Sequence, residues 1–281
     1  MSIKNKIDFA LVIVAVHCNP NGDPLNGNRP RQDWDGYGEI SDVCLKRKIR
    51  NRWMDMGENI LNQPDDRVQN GLYSVKARID ACDRIPKAAK RGVESGEYVR
   101  IACKEWLDVR AFGQVLAFKK ESPAGGSSIG VRGPVTIQFA RTLEPIDIQA
   151  MQFTKSTNLE DTKDGNRDST TLFTKSVIDK GVYVAYGSVN SQLASLTGFS
   201  EADAEKLKEA LRTMFVNDES AARPSGSMEV AALYWWEHSC PDGQYSPAKV
   251  YRSLVLEPIA EYPYFKGTLC NLKGLIPEIY E

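Results

Sequence analysis

The amino-acid sequence predicts an α+β fold in which one antiparallel sheet carries two helices, in the order strand, helix, strand, strand, helix, strand. Three observations support this prediction: a run rich in Val and Ile at residues 7–17, apolar residues at helical spacing after Ser41 and Ser200, and alternating apolar residues later in the chain. We interpret residues 1–281 as a single domain with two insertions, at residues 64–130 and 146–175.

The composition is that of a globular protein. The chain has 281 residues, of which 42% are hydrophobic, and a formal net charge of −1, which together exclude general disorder. Its longest apolar run, residues 9–16, is far shorter than the roughly 18 residues that a membrane-spanning helix needs. No small-residue cleavage site follows that run. We therefore expect a cytoplasmic protein without an export signal or a membrane partner.

Cysteine and histidine usage argues against metal and histidine chemistry. The six cysteines are scattered without a Cys-x-x-Cys pair, which is typical of reduced thiols in a cytoplasmic protein. Neither His17 nor His238 has a His or Cys partner at ligand spacing. We predict no metal site, no cofactor and no histidine-based catalytic residue.

Charge is distributed unevenly along the chain. Lys and Arg outnumber Asp and Glu between residues 29 and 120, whereas acidic residues outnumber basic ones between residues 200 and 281. Such asymmetry fits a polyanion site on one side, attraction between copies arranged head to tail, or random variation of a solvated surface. Charge alone leaves these three interpretations open.

The first two predicted elements are a strand and a helix joined by a long polar loop. Residues 7–17 are typical of a strand covered on both faces. Residues 18–40 contain a succession of turn-forming dipeptides, and a structureless loop of that length is typically functional or disordered. Ser41 is the predicted cap of a helix that ends near Gly57. The core stripe of this helix is predicted to consist of Leu45, Ile49, Trp53 and Met56.

The first insertion follows the helix. Residues 64–96 are polar and irregular, with short extended pieces at 72–79, and residues 98–118 have the spacing of an amphipathic helix. Residues 123–130 form a loop of Gly and Ser that lacks the Lys-Ser/Thr of a phosphate-binding loop, which argues against nucleotide binding of that class.

The second strand and the second insertion come next. Residues 131–141 alternate, with Val135, Ile137 and Phe139 predicted on one face. Two extended segments then flank a polar tip at residues 158–168, which is typical of a long hairpin that stands off the core.

The last elements complete the core. Residues 181–190, 228–237 and 249–257 predict strands, and Ser200 with Asp203 predicts a capping box before the second helix. Without the insertions, the order is the split βαβ of ferredoxin-like folds, which RNA-recognition modules share. Those modules stack bases on exposed strand aromatics, but we interpret Tyr183 as a packing residue and predict no conventional base-stacking sheet.

The first helix carries two basic rows. Lys46 and Arg50 lie on one flank with Arg47 further round, and Lys48 and Arg52 lie on the other. Their stems could simply cover the edges of the apolar stripe. Two rows without an apparent acidic partner one turn away favour a second interpretation, in which Lys46, Arg47 and Arg50 contact a phosphate backbone.

Two other segments are candidate RNA contacts. Arg29 and Arg31 lie near Trp34 and Tyr37 in the long first loop, which combines cations with stacking surfaces. A polar turn before the fourth strand could bind phosphate through its backbone amides. Its candidate contact residues are Arg223, Ser225 and Gly226.

The first loop also contains the carboxylates Asp23, Asp33 and Asp35. Clustered carboxylates can hold Mg²⁺ and position a nucleophile for phosphodiester cleavage. Local turn formation explains Asp23, and exposed loop acids are more often solvated than metal-bound. A metal-dependent ribonuclease is therefore kept as an alternative.

Three motifs occur together in this chain: Asn-Pro-Asn-Gly-Asp-Pro at 19–24, Gly-Val-Arg-Gly-Pro-Val at 130–135 and Arg-Pro-Ser-Gly at 223–226. In combination they resemble one family, the backbone subunits (Cas-seven family) of CRISPR Cascade complexes, and their spacing is most similar to the type I-C branch. The resemblance extends over essentially the whole chain.

The resemblance implies an RNA-recognition-motif-like palm, a helical insertion called the fingers at residues 64–130, and a protruding β-hairpin called the thumb at residues 146–175. It implies a non-catalytic subunit whose copies stack head to tail along CRISPR RNA, together with other Cascade subunits, and leave the guide free to pair with target DNA. Sequence specificity then comes from base pairing rather than from the protein.

The resemblance also implies roles for particular residues. Cations of the first palm helix, here Lys46, Arg47 and Arg50, hold the RNA backbone, and Arg132 of the second motif joins the candidate contacts. Met151 and Phe153 are the candidates for apolar thumb residues that wedge beside a displaced base. Type III relatives cleave target RNA with an aspartate of the first loop, where Asp33 lies here, and this supports the ribonuclease alternative.

Overall fold

The structure is a computed structural model that describes residues 1–68, 70–85, 95–118, 127–154 and 172–281. The helices are α1 (Asp42–Asp55), α2 (Val75–Ala81), α3 (Ser95–Glu105), α4 (Leu107–Phe112), α5 (Ser191–Thr197), α6 (Glu201–Arg212) and α7 (Pro247–Ser253). The strands are β1 (Ile7–Cys18), β2 (Gly22–Asp23), β3 (Arg29–Pro30), β4 (Tyr37–Ile40), β5 (Gly113–Phe118), β6 (Ser127–Arg132), β7 (Val135–Ile137), β8 (Ala140–Pro145), β9 (Ile148–Thr154), β10 (Leu172–Val189), β11 (Met228–Glu237), β12 (Leu254–Pro258), β13 (Phe265–Leu269) and β14 (Glu278–Tyr280).

One large sheet organises this mixed α/β structure. Its strand order is β14-β11-β1-β10-β8-β4, and β7 and β9 also pair with β10. Strand β1 lies between β10 and β11 and is antiparallel to both, with Leu11 opposite Ala185 on one side and Leu233 on the other. Because β1 is covered on both faces, nearly all its residues are buried and apolar, as predicted.

Helices α1 and α6 cover one face of the sheet. The side chains of Phe9, Leu11 and Ile13 point toward this side and share a core with Trp53 of α1 and Leu207 of α6. The N-terminal caps of both helices are confirmed. The Ser41 side chain accepts a hydrogen bond from the Cys44 amide, and Ser200 forms a capping box with Asp203.

The other face of the sheet is covered by the C-terminal segment. Val12, Tyr234 and Trp236 point to this side and pack with Val250 of α7 and Phe265 of β13. This is the side that faces away from α1 and α6, so the sheet offers no broad open surface for stacking bases. Tyr183 packs in the opposite core, beneath the helices, and is 1% exposed, which confirms its interpretation as a packing residue.

The predicted helix over residues 98–118 is wrong in its second half. The helix breaks at Trp106, whose backbone is extended, and α4 ends at Phe112 before Gly113 adopts a φ of 77°. Residues 113–118 then form β5, which pairs with β6. Tertiary pairing with a strand later in the chain has overridden a local helical period.

Three shorter expectations also differ from the structure. Residues 75–81 are helical rather than extended. The predicted strand at 249–257 begins as α7, with Pro247 in its first turn, before it becomes β12. The predicted strand at 131–141 is interrupted between β7 and β8, where the Gln138 amide bonds to the Tyr186 carbonyl, and Phe139 is consequently exposed.

Two glycines allow the backbone at the start of β5 to pass close to the backbone at the end of β6, in the separate two-stranded sheet that these strands form. A Cβ on Gly133 would overlap the Ala111 carbonyl oxygen and the Gly113 amide nitrogen. A Cβ on Gly113 would overlap the Val131 carbonyl oxygen. Glycine at 133, inside the second sequence motif, is therefore a packing requirement.

None of the helices in the described ranges is long and apolar enough to cross a membrane.

Candidate nucleic-acid interface

The Lys46/Arg50 flank of α1 packs against α4. The Lys46 ammonium lies 5.9 Å from the centroid of the Phe112 ring, and the Arg50 guanidinium lies 5.0 Å from it. Lys46 also donates to Asp42, 3.0 Å away, and Arg50 donates through Nε to Asp108, also at 3.0 Å. The expectation that this row has no acidic partner one turn away is wrong for Lys46, whose partner is Asp42, whereas the partner of Arg50 comes from α4.

The opposite flank of α1 attaches the helix to the segment after α6. Lys48 is 3% exposed and forms an ion pair with Asp218. Its ammonium also lies 5.2 Å from the Phe215 ring centroid. Arg52 donates through Nε to the Thr213 hydroxyl at 2.8 Å. This second basic row therefore has a structural role.

Asp108 anchors α1 to the chain segment around residue 61. Its carboxylate is fully buried and accepts hydrogen bonds from the Leu61 amide at 2.8 Å and from both the amide and the side chain of Asn62 at 3.1 and 2.9 Å. Arg47 donates to the Asn62 carbonyl at 2.6 Å. Burial and the neighbouring Arg50 charge lower the pKa of Arg47. Arg47 and Arg50 therefore both make hydrogen bonds that stabilise the fold.

Lys46 and Arg132 meet at one open pocket of about 430 Å³ between α1, α4, α5 and the β6–β7 connection. Phe112 lies at this pocket as well. Arg132 is exposed, and within the described ranges it has no ion-pair partner. Two cations predicted separately from the sequence thus line the same surface.

The long loop after β1 is ordered by short pairings. Strands β2 and β3 pair, and Arg31 donates to Asp23 at 3.3 Å. The Asn21 side chain accepts hydrogen bonds from the amide and the hydroxyl of Ser41 at the start of α1. Arg29 is exposed and lacks an ion-pair partner among the residues that the structure describes.

The polar turn at 223–227 lies beside this loop. The Asn19 amide donates to the Ala222 carbonyl at 2.8 Å, and Arg223 donates through Nε to Asp218 at 3.2 Å. The Ser227 amide bonds to the Pro224 carbonyl, and Gly226 has a φ of 76°. Ser225 and Gly226, also predicted contacts, are exposed at the tip of this turn.

Cys44, in the first turn of α1, lies within the electrostatic influence of several cations. Burial raises the pKa of Cys44, and the positive charges of Lys48, Arg223 and Arg31 oppose that rise. Arg31 and Arg223 each have an acidic partner of their own, Asp23 and Asp218 respectively.

The first-loop carboxylate Asp33 has protein partners for both oxygens. One oxygen accepts the amides of Asp35 and Tyr37 at 3.0 and 2.9 Å, and the other forms an ion pair with Arg141. Desolvation alone would raise the pKa of Asp33, but these amides and the Arg141 charge outweigh it and lower the pKa. Trp34, next to it, is fully exposed. Across the described ranges, no three His, Cys, Asp or Glu side chains form a group suited to a metal ion.

The exposed ladder of β9 and β10 carries an apolar and cationic face. Phe153 pairs in register with Phe173 of β10, and their rings stack at 5.6 Å. Met151 pairs with Lys175, whose ammonium lies 5.8 and 5.9 Å from the two ring centroids. The predicted tip of this hairpin, at residues 158–168, lies outside the described residues.

Sequence reasoning missed several members of these surfaces. Phe112, Phe173 and Lys175 are not among the contacts that the sequence predicts. Alternation along β10 could have put Phe173 and Lys175 on one face, but only the register with β9 shows that this is the face of Met151 and Phe153.

The chain resembles proteins of CRISPR systems. Its residues 5–265 match the family model described as CRISPR-associated protein Cas7. A relative from Haloferax volcanii, also described as CRISPR-associated protein Cas7, is 29% identical over 219 residues, which cover 74% of this chain and 63% of the relative. The match thus spans less than two thirds of the relative's length.

Solved structures give a similar result at the level of the fold. A chain of a "CRISPR RNA-guided surveillance complex" is similar with a TM-score of 0.51 at 15% identity, covering 92% of this chain and 78% of that chain. A chain of a "CRISPR RNA-guided surveillance complex, pre-nicking" has a TM-score of 0.48 at 16% identity, covering 82% and 75%. Because the family model matches nearly the whole sequence, the chain belongs to the CRISPR-associated protein Cas7 family.

Proposed function

We propose that the protein is the non-catalytic backbone subunit of a Cascade complex of type I-C. Its copies stack head to tail along CRISPR RNA, contact other Cascade subunits, and present the guide for pairing with target DNA. The observation that carries this proposal is membership in the Cas7 family over residues 5–265.

The proposed palm is RNA-recognition-motif-like. In support of this, β11, β1, β10 and β8 are neighbours in the sheet, and α1 and α6 share one core beneath it. The fingers correspond to residues 64–130 and the thumb to residues 146–175, which include the β9–β10 ladder.

The proposed RNA path runs past α1 rather than over the sheet. The sheet face opposite the helices is buried under the C-terminal segment, whereas Lys46 and Arg132 line an open pocket. Phosphates along this path would contact Lys46, Arg47, Arg50 and Arg132, with a second group at Arg29, Arg31, Arg223, Ser225 and Gly226. Met151 and Phe153 would be the apolar thumb contacts.

The test is assembly on guide RNA. The protein is co-expressed with CRISPR RNA and its partner subunits, and the purified particle is sized before and after ribonuclease treatment. We expect a large particle that contains RNA and is sensitive to ribonuclease. Lys46→Glu and Arg132→Glu should weaken assembly, because they reverse cations of the proposed path.

A matched control comes from the far side of the sheet. Lys249 of α7 is exposed, so Lys249→Glu makes the same change in charge away from the proposed path and should assemble normally. A small protein free of RNA would contradict the filament. Equal assembly of all three variants would contradict the α1 path.

The same particle tests the ribonuclease alternative. Incubated with Mg²⁺ and labelled complementary RNA, a scaffold leaves the complement intact. Regular cleavage that disappears in Asp33→Ala would instead make the protein a metal-dependent ribonuclease.

A further inference from the structure

Three buried ionisable side chains meet where β1 begins and β11 ends. One carboxylate oxygen of Asp8 lies 2.7 Å from the Lys6 ammonium and 2.9 Å from Nε2 of His238. The side chains of Asp8 and His238 are fully buried, and that of Lys6 is 10% exposed. Buried ionisable groups are costly unless each has a partner, so the protonation state of this cluster matters for the structure around it.

The hydrogen bonds assign one protonation state to His238. The backbone amide of Gln244 donates to Nδ1 at 3.0 Å. Nδ1 therefore carries no hydrogen, and the ring proton lies on Nε2, from which it is donated to Asp8. His238 is neutral in this arrangement, and the Asp8 carboxylate balances the charge of Lys6 alone.

The Gln244 amide belongs to the 239–246 loop between β11 and α7, and this loop fastens α5. The Ser191 hydroxyl, at the start of α5, donates to the Pro241 carbonyl at 2.8 Å. The Gln192 side chain donates to the Asp242 carboxylate at 2.7 Å. Since α5 shares a core with α1 and α6, the loop is attached to the α1 side of the large sheet.

The same loop also fastens the C-terminal segment. The Gln244 side chain donates to the Gly274 carbonyl at 2.8 Å, and the Tyr245 hydroxyl donates to the Lys273 carbonyl at 3.0 Å. The adjacent Leu275 packs into the core on the sheet face away from α1. One loop thus connects chain segments that cover opposite faces of the sheet.

We propose that the 239–246 loop is a proton-sensitive latch, which is closed only while His238 is neutral. A second ring proton would put an N–H of Nδ1 against the Gln244 amide, so the loop would lose its bond to the ring. It would also add a positive charge beside Lys6, with the single Asp8 carboxylate left to balance both. Histidine side chains change charge between about pH 5 and about pH 8, so acid opens the latch.

Other ionisable groups near the loop keep their charge state over this pH range. Burial and the Asp8 charge raise the pKa of Tyr251 on α7, so its hydroxyl stays neutral. Lysine, aspartate and cysteine side chains ordinarily titrate outside this range. Groups of these types at the loop are Lys249 of α7, which lies over the Tyr245 ring, Lys273, and the loop's own Cys240 and Asp242.

Opening of the latch reaches the proposed RNA path through α5. Leu193 of α5 lines the same open pocket as Lys46 and Arg132, and it directly follows the two residues that bond to the loop. A less ordered α5 makes RNA binding more costly in entropy, so affinity should fall in acid. This consequence rests on the proposed function, whereas the latch itself does not.

Histidine NMR and hydrogen exchange test the latch. The chain has only two histidines, and the His17 side chain, which is 73% exposed, serves as the control in the same spectra. In the full chain labelled with ¹⁵N-histidine, we expect His238 to carry its proton on Nε2 at about pH 8. The protection of the Gln244 amide against exchange should fall by about tenfold when the loop loses this hydrogen bond in acid.

Two substitutions separate the roles of the ring nitrogens. In His238→Asn, the side-chain oxygen takes the place of Nδ1 and accepts from the Gln244 amide, but it does not titrate. In His238→Gln, the amide group lies near the place of Nε2, so Gln244 lacks an acceptor. We expect the loop to stay protected in acid in His238→Asn and to be unprotected at neutral pH in His238→Gln, with unchanged circular dichroism in both.

Fluorescence anisotropy with a short single-stranded RNA tests the consequence for RNA binding. His238→Asn experiences every other effect of acid, so it is the control for the wild-type protein. We expect acid to weaken RNA binding by the wild-type protein about fivefold more than by His238→Asn.

The outcomes are distinguishable. A His238 proton on Nδ1 at neutral pH, or a Gln244 amide equally protected in neutral and acid conditions, overturns the latch. If the loop opens but the wild-type protein and His238→Asn lose RNA affinity equally, the consequence for the RNA path is overturned. If neither protein binds RNA at neutral pH, the proposed function fails, while hydrogen exchange still decides the latch.

Discussion

The Asp108 side chain accepts four hydrogen bonds where α4 meets α1 and the segment around residue 61. Its carboxylate accepts from two backbone amides, one side-chain amide and one guanidinium, and no part of it is exposed. A buried carboxylate with this many donors is stable only while all of them are in place.

Replacing Asp108 with Asn should lower the free energy of unfolding by about 3 kcal/mol. The substitution removes the charge that balances Arg50 and turns one acceptor oxygen into a donor that faces other donors. Urea denaturation monitored by tryptophan fluorescence measures the change.

The control for this prediction is Asp80→Asn. Asp80 forms an ion pair with Lys76 on α2, but both side chains are well exposed, so its loss should cost less than about 0.5 kcal/mol. Equal effects of the two substitutions would mean that Asp108 is not an anchor.

At the scale of elements, β5 and β6 depend on the close approach between Gly113 and Gly133. Backbone atoms of residues 111–113 occupy the space in which a side chain at 133 would lie. Gly130, in the same motif, has nothing within 4 Å of a Cβ built on it. The two glycines therefore have different structural requirements.

Gly133→Ala should lower the free energy of unfolding by more than about 3 kcal/mol, because backbone cannot move aside as a flexible side chain can. Gly130→Ala should change it by less than about 0.5 kcal/mol, since a small surface substitution meets no neighbour. Thermal unfolding of both variants measures this difference. A Gly133→Ala protein as stable as Gly130→Ala would contradict the close approach.

At the scale of the whole molecule, the two faces of the large sheet are covered by different parts of the chain. The C-terminal segment buries one face, and α1 with its neighbouring cations lies on the other. Binding of RNA on the α1 side should then be governed by how many phosphates these cations neutralise.

The salt dependence of the RNA-binding constant measures how many phosphates the protein contacts. For single-stranded RNA, each phosphate contact contributes about −0.7 to the slope of log K against log salt. Lys46→Gln and Arg132→Gln should each make the slope shallower by about 0.7, whereas Lys249→Gln should leave it unchanged. Anisotropy titrations between low and moderate salt measure the slopes. An unchanged slope in the first two variants would remove those residues from the path.

The amino-acid sequence by itself determined the elements that depend on local interactions. The span of β11, the strand character of β1 and the caps at Ser41 and Ser200 all follow from periodicity and hydrogen bonds within a few residues. The sequence also carried the three motifs whose resemblance led to the family.

Only the tertiary structure decided which distant residues meet. Three features depend on segments that are remote in sequence. They are the break at Trp106, the ion pair of Arg50 with Asp108, and the strand register that places Phe153 opposite Phe173. A periodic pattern shows which side of an element is apolar, but it does not identify the partner that covers it. Lys46 and Arg132 therefore remained separate predictions until the fold brought them to one pocket.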